Sequence, residues 1–212
     1  MQKAANDKFD GTLLNGLVNL WQFDGNANDS VGSAHLTTNG NVAYVKGNMK
    51  QCAEFNGGGY FSKTATGINL SAGNWTLSFW VNPMSGNTLT NGIIMNRANA
   101  MQHWGSYISN SVILWFDNGA NTATNAISNL KFNTWYHMCV KNGKLFENGV
   151  SKNFTYARGT LNFSNILIGL YSTDFPDCLF LGRIEQVAIW NRVIDDDEAV
   201  RLYNGGKGLI YQ

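Results

Sequence analysis

Few residues in this 212-residue chain are equipped for chemistry: 14 acidic side chains, 3 histidines and 3 cysteines. The most oxygen-rich stretch is the loop of residues 24–32, where Asp24, Asn26, Asn28 and Asp29 stand among Gly25 and Gly32. A hard cation such as calcium takes about six to eight oxygens of this kind. The same residue types also make Asx-turns in any tight loop. Glycoside hydrolysis needs two carboxylates about 5 to 9.5 Å apart across one sugar, and no strand here spaces two acids that way. Glu147 and Glu185 are isolated, and Asp195 to Glu198 read as a helix cap. His35, His103 and His137 have no Ser or Cys partner in a recognisable motif. His137 alternates with Cys139 and reads as an ordinary strand residue. No catalytic residue is assigned, and the expectation is a chain that is not an enzyme. Cys52, Cys139 and Cys178 are odd in number and widely spaced, unlike a zinc site or a disulfide framework. They are expected to be reduced and mostly buried.

Composition narrows the partners. Lys and Arg number 15 against 14 acids, a net charge of +1. No basic excess exists to release counterions from a duplex, so nucleic acid is a poor partner. Charged residues are 14% of the chain, against about 25% in an average globular protein. The exterior must therefore draw on neutral Asn, Ser, Thr and Gly. The longest apolar runs are far shorter than the ~20 residues of a membrane span, so no membrane insertion is expected. Seven Trp, 8 Tyr and 12 Phe supply ample core material. The N-terminal stretch shows no signal peptide in this chain, because it lacks a seven-residue apolar run. That suits either a mature form or a protein that leaves the cell by another route, as virion proteins do at lysis.

The elements that must hold these residues are short strands. Leu17 to Phe23 and Trp75 to Val81 alternate as half-buried strands do. Further strands are expected at 92–97, 105–109, 112–116, 135–141, 144–147, 166–169 and 182–190. Asn142-Gly143, Asn148-Gly149 and Asp117-Asn118-Gly119 are hairpin signals. One segment differs: Asp195 with Glu198 makes a capping box, and Asn204-Gly205-Gly206 a positive-φ stop. The sum is an all-β, two-sheet antiparallel sandwich with one short C-terminal helix.

Ordered blocks across residues 16–206 carry a family resemblance. They are Gly16-Leu17-Val18 with Trp21-Gln22-Phe23-Asp24-Gly25; Ala53-Glu54-Phe55-Asn56-Gly57; Asn74-Trp75-Thr76-Leu77-Ser78-Phe79-Trp80; Asn133-Thr134-Trp135-Tyr136-His137; Leu145-Phe146-Glu147-Asn148-Gly149; and Gly182-Arg183-Ile184-Glu185-Gln186 running to Trp190. Together they resemble the laminin-G-like, pentraxin-like branch of the concanavalin A-type lectin/glucanase jelly rolls. Trp80, Val140, Val187 and Ile189 are then expected between the sheets, with Trp135 and Trp190 in core aromatic slots. Cys139 stands at one position of the pentraxin disulfide, but Ser78 stands at the other, so that bridge cannot form here. The resemblance also implies a structural calcium where the 24–32 loop meets the closing strand. Asp29 leads that ligand set, with Asp24 and Glu185 behind it, although Glu185-Gln186 replaces the family's usual Asp-Glu.

Five tryptophans fit family core slots, which leaves Trp104 and Trp115. Carbohydrate sites set a flat aromatic beside a few hydrogen bonders. Trp104 and Trp115, with Asn118 and Asn121, are accordingly the expected ligand-binding residues. Residues 1–15 lie outside the regular strand pattern and are expected to form an N-terminal arm, with a laminin-G-like jelly-roll domain at 16–212. Its expected role is a non-enzymatic, carbohydrate-binding adhesion module, extracellular or on a virion. Partners would be a glycan or other virion or cell-surface proteins, with a homo-oligomer allowed. The alternative is a structural or decorating virion subunit, such as a phage capsid or tail component, that keeps the lectin fold without a working sugar site.

Overall fold

Short strands ended by Asn and Gly turns build the structure, a computed structural model that describes residues 8–70, 73–87, 90–99, 102–109, 113–118, 123–141, 143–152 and 161–211. Side chains are described in these stretches except at 97–107, 109–129 and 161–164. In chain order the elements are helix α1 (Gly11–Leu14) and strands β1 (Leu17–Trp21), β2 (Thr37–Lys46), β3 (Gln51–Leu70), β4 (Thr76–Pro83) and β5 (Asn91–Asn99). There follow β6 (Gln102–Ser109), β7 (Ile113–Asn118), β8 (Ala123–Asn129), β9 (Tyr136–Lys141), β10 (Lys144–Glu147) and β11 (Val150–Lys152). The chain ends with β12 (Leu161–Ile168), β13 (Leu170–Ser172), β14 (Phe175–Leu179), β15 (Leu181–Trp190) and helix α2 (Asp196–Tyr203). The strands alternate as expected; β2, β8, β11, β13, β14 and most of β3 carry too little periodicity to be read from sequence.

One antiparallel ladder runs β11-β10-β9-β4-β15-β3-β12-β5-β6-β7-β8. Strand β3 divides it into the two layers of the sandwich. Its first half pairs with β15 (Ala53↔Ile184 to Asn56↔Leu181) and its second half with β12 (Phe61↔Ile168 to Leu70↔Leu161). Between these, the register with β2 jumps from Val42↔Phe55 to Gly40↔Gly59. Three residues of β3 there oppose one of β2, which is a bulge and bends the strand. A second break sets residues 65–67 against a single residue of β12, with Ala65 and Gly67 at φ 50° and 72°.

The inner faces fill one large cluster with Trp21, Phe55, Phe61, Trp75, Phe79, Val140, Val187 and Ile189. Trp80 corrects the expectation above. It points to the outer face of β4, where its ring lies 5.0 Å from His137 and 5.9 Å from Tyr203 of α2. Trp190 is also buried on the outer side, in a second cluster beneath α2, and Trp135 is only half-buried. Helix α2 starts as its sequence dictates: Asp195 caps Glu198 N at 2.6 Å and the Glu198 carboxylate returns to Asp195 N at 2.8 Å. Asn204 closes it in the left-handed conformation. Lys141, almost fully buried, reaches from β9 to Ile194 O and to Asp196, both at 2.7 Å.

The first fifteen residues are tied in from Lys8 onward. Leu13 is buried, Trp190 Nε1 donates to Leu13 O at 2.7 Å, and the Phe9 and Trp190 rings stack. Arg192 clamps Glu198 with two hydrogen bonds while donating to Thr12 O and Asn15 O. Cys52 and Cys139 are buried and Cys178 is half-buried; Cys139 stands opposite Ser78 in the β4–β9 register, and none of the three is in a disulfide.

His137 is paired with Ser78, Nε2 to Oγ at 2.8 Å. Trp80 and Tyr203 flank the imidazole, and burial pushes its pKa down to about 3. Above the usual 6.5 the ring is neutral whether folded or unfolded. Below it, the unfolded chain takes up a proton that the folded chain refuses, so stability falls until about pH 3. At 1.36 kcal/mol per unit the full loss is on the order of 5 kcal/mol. Melting curves should therefore drop steadily from pH 6.5 to pH 4.5, and His137→Gln, which can still bond Ser78, should flatten that slope. An unchanged slope in the variant would assign the acid sensitivity to other groups.

Candidate functional site

The 24–32 loop is built around one carboxylate. Asp29 is buried beside β1. Its Oδ1 accepts from the backbone N–H of Leu20, Val31 and Gly32 at 2.9–3.1 Å, and its Oδ2 from Ala34 N and Asn19 Nδ2. Burial by itself would raise the carboxyl's pKa, but these donors outweigh it and hold it below the ordinary value. Every lone pair that a cation would need faces an N–H.

Glu185 is used in the same way. It accepts from Asn48 N (2.7 Å), Met49 N (3.1 Å) and Lys50 N (2.9 Å), which pins the β2–β3 turn to β15. Burial still leaves its pKa raised, against the pull of those three donors. Asp24, half-exposed, pairs with the Lys50 ammonium at 3.3 Å. The residues of the expected calcium set, Asp29, Asp24 and Glu185, are thus each engaged by protein groups. The three carboxylates do not share one shell, two are filled by backbone donors, and the cation facing the third is a lysine. Among the described residues no three acidic, His or Cys side chains gather as a metal requires.

The Ser78–His137 pair, which sequence reasoning missed because the two lie 59 positions apart, is sealed. Both side chains are 3% exposed or less, and the imidazole's basicity is suppressed. Its role here is to anchor β9 to β4 beneath Tyr203.

The geometry that can take a ligand lies where β3 crosses between the layers. Hairpin β13–β14 folds over the outer face of β3, β12 and β5, burying Leu170 against Met95 and Leu167 with Tyr60, Tyr171 and Leu179 packed around them. The hairpin rests directly on Gly92, where a Cβ would lie 2.5 Å from Tyr171 Cα. Asn91 Nδ2 donates to Leu179 O, and Asn87 ties Leu181 through both its N–H and C=O. Between the hairpin and the first break in β3 a pocket of about 180 Å³ remains open. Tyr60, Leu170, Pro176 and Leu179 wall it, and the peptide groups of Gly58 and Gly59 form its floor. Asn39 and Thr173 stand at its rim, and Phe175, 48% exposed, lies 6.4 Å ring to ring from Tyr171. A Cβ at Gly59 would fall 2.6 Å from Asn39 O and Asn41 N, so the close crossing of β2 and β3 requires glycine there. An apolar wall, one aromatic ring and a few neutral hydrogen bonders describe a small-molecule site, and no charged side chain lines it among the described residues.

The predicted ligand residues fall elsewhere in the same layer. Trp104 on β6 stands in register with Asn118 on β7, and Trp115 with Tyr107. Their side chains, and Asn121 altogether, lie outside the described residues. The signal that could have found the pocket was Asn56-Gly57-Gly58-Gly59-Tyr60, a glycine run inside a strand ending on an aromatic.

The chain belongs to the concanavalin A-like lectin/glucanases superfamily, whose laminin G family model matches residues 55–199. No curated protein matches it in sequence. Domain 4 of AbnA, an extracellular GH43 arabinanase from Geobacillus stearothermophilus solved with arabinotriose, superposes with a TM-score of 0.72 at 20% identity, over 88% of this chain and 98% of that one. The binding domain of Paraclostridial Mosquitocidal Protein 1 gives 0.64 at 18% identity, over 91% of this chain and 52% of that one. Trypanosoma rangeli sialidase, solved with sialic acid, gives 0.67 at 16%, over 89% and 33%. The chain thus spans about half of the second protein and a third of the third, and the likeness is one of fold. The expectation of a chain that is not an enzyme is corrected: the family is one of lectins and glucanases, and proteins sharing the fold include an arabinanase and a sialidase. Among the described residues no helix is long and apolar enough to cross a membrane.

If Asp29 is a loop organiser, Asp29→Ala strands four backbone N–H groups and one amide. The loss should be roughly 3 kcal/mol or more, the same with added calcium as with a chelator. A melting temperature that falls on chelation in the native chain and not in the variant would restore the metal site.

Proposed function

We propose that this chain is a carbohydrate-recognition module that seats a neutral sugar ring in the pocket beneath the β13–β14 hairpin. The observation that carries the reading is the joining of Tyr60 to the exposed Gly58 and the neighbouring backbone of Gly59 in an uncharged pocket open to solvent. A sugar presents one apolar C–H face and a rim of hydroxyls. The first suits an aromatic ring and the second suits peptide N–H and C=O groups together with Asn39 and Thr173. The sugars held by the arabinanase domain and the sialidase support the substrate class by analogy of fold. The finer part of the reading is attachment to glycan on a cell or particle surface. The 14% charged composition supports it, since a weakly charged exterior can lie close against another surface.

Calorimetric titration with arabinotriose, sialyllactose and a panel of neutral oligosaccharides tests the proposal. Binding by at least one is expected, weakened roughly tenfold or more in Tyr60→Ala, a loss of about 1.4 kcal/mol. Tyr60→Phe should retain it and melt like the native chain, while Tyr60→Ala, which also trims the packing around Leu170, should melt lower but remain folded at the titration temperature. Binding that survives Tyr60→Ala would move the site away from this pocket. A panel with no binder would point instead to the decorating virion subunit.

A further inference from the structure

The second break in β3 opens a separate cleft of about 250 Å³, between β1, the loop after Asp29 and residues 66–70. Its floor is hydrocarbon: Ala34, Ile68 and Leu70 are buried and Val18 is half-buried. Its rim is amide: Asn19, Asn69 and Asn191. The Asn19 amide is held in place by its Nδ2–H bond to Asp29, while Asn69 and Asn191 are exposed. Among the described residues no acid, base or aromatic ring lines the cleft. Asp29, the nearest carboxylate, spends its oxygens on the loop. The cleft therefore offers nothing to a phosphate, a carboxylate or a metal, and no stacking surface to a bare ring. A methyl-lined floor under amide donors and acceptors complements a group of the same construction, a methyl attached to a secondary amide.

We propose that this cleft binds the acetamido group of an N-acetylated sugar. The methyl sits on Ala34, Ile68 and Leu70, and the amide C=O and N–H pair with the asparagine rim. At about 250 Å³ the cleft falls below the roughly 300–1,000 Å³ of sites for drug-sized ligands, which is room for a single ring. The inference rests on the carbohydrate reading but on a different site, so the chain would carry two subsites, one aromatic and one amide-lined, at the two breaks of a single strand.

Saturation-transfer NMR on the full chain tests it, with N-acetylglucosamine and N-acetylgalactosamine compared with glucose and galactose. In at least one acetamido sugar the methyl protons should receive the strongest saturation, with neither plain hexose binding comparably. Asn69→Ala should weaken the signal about fivefold and Ser33→Trp, at an exposed rim position, should block it. Both should melt like the native chain, and Tyr60→Ala should leave the signal intact. Equal binding of plain hexoses, absence of methyl saturation, or a signal lost in Tyr60→Ala and kept in Asn69→Ala would each overturn the proposal. The last result would leave the hairpin pocket standing as one site; no binding by any sugar there or in the oligosaccharide panel would remove both readings.

Discussion

Strand β3 must serve two layers at once, and the remaining architecture follows from how it does so. A twenty-residue strand cannot pair with β15 at one end and β12 at the other without bending. The bend is made where Asn56 to Gly58 oppose a single residue of β2, and a second break follows at residues 65–67. Bulges leave backbone groups unpaired and concentrate twist. Both openings described above lie on these breaks, and both are lined without charge. The strand that closes the sandwich is also the strand that shapes its surface.

The few buried acids act as fasteners for loops. Asp29 gathers the turn after β1, Glu185 gathers the β2–β3 turn, and Glu198 closes the α2 cap while holding Arg192 against residues 12–15. Irregular backbone brought inside carries N–H groups that cost about 1–3 kcal/mol each if left unmade. A carboxylate with several lone pairs answers several of them at once. This explains how a chain with 14% charged residues holds long irregular loops. It also explains why the buried acid of the 24–32 loop is met by backbone N–H groups on both oxygens.

Legibility followed periodicity. The alternating stretches around Trp80, Val140 and Val187 gave their strands, and the Asp195–Glu198 box gave α2 with its cap. The family blocks supplied the layer architecture. Strand alternation alone could not say which face of β4 was inner, because Tyr203 covers the outer face and both faces are buried. The pocket was harder to see. Its parts come from β2, β3 and the β13–β14 hairpin, far apart in sequence, and Gly-Gly-Gly-Tyr reads as a weak strand until its two neighbours are known. Sequence reasoning looked for spare tryptophans, whereas the described pocket offers a tyrosine beside bare backbone.

The central claim is that the first break in β3 forms the sugar-contacting surface. Its most direct measurement is an amide chemical-shift map of the isotopically labelled chain during saccharide titration. The account predicts that Gly58, Gly59, Tyr60 and Thr173 shift first and saturate together. Shifts confined to β6–β7, with those four residues unmoved at saturation, would contradict it.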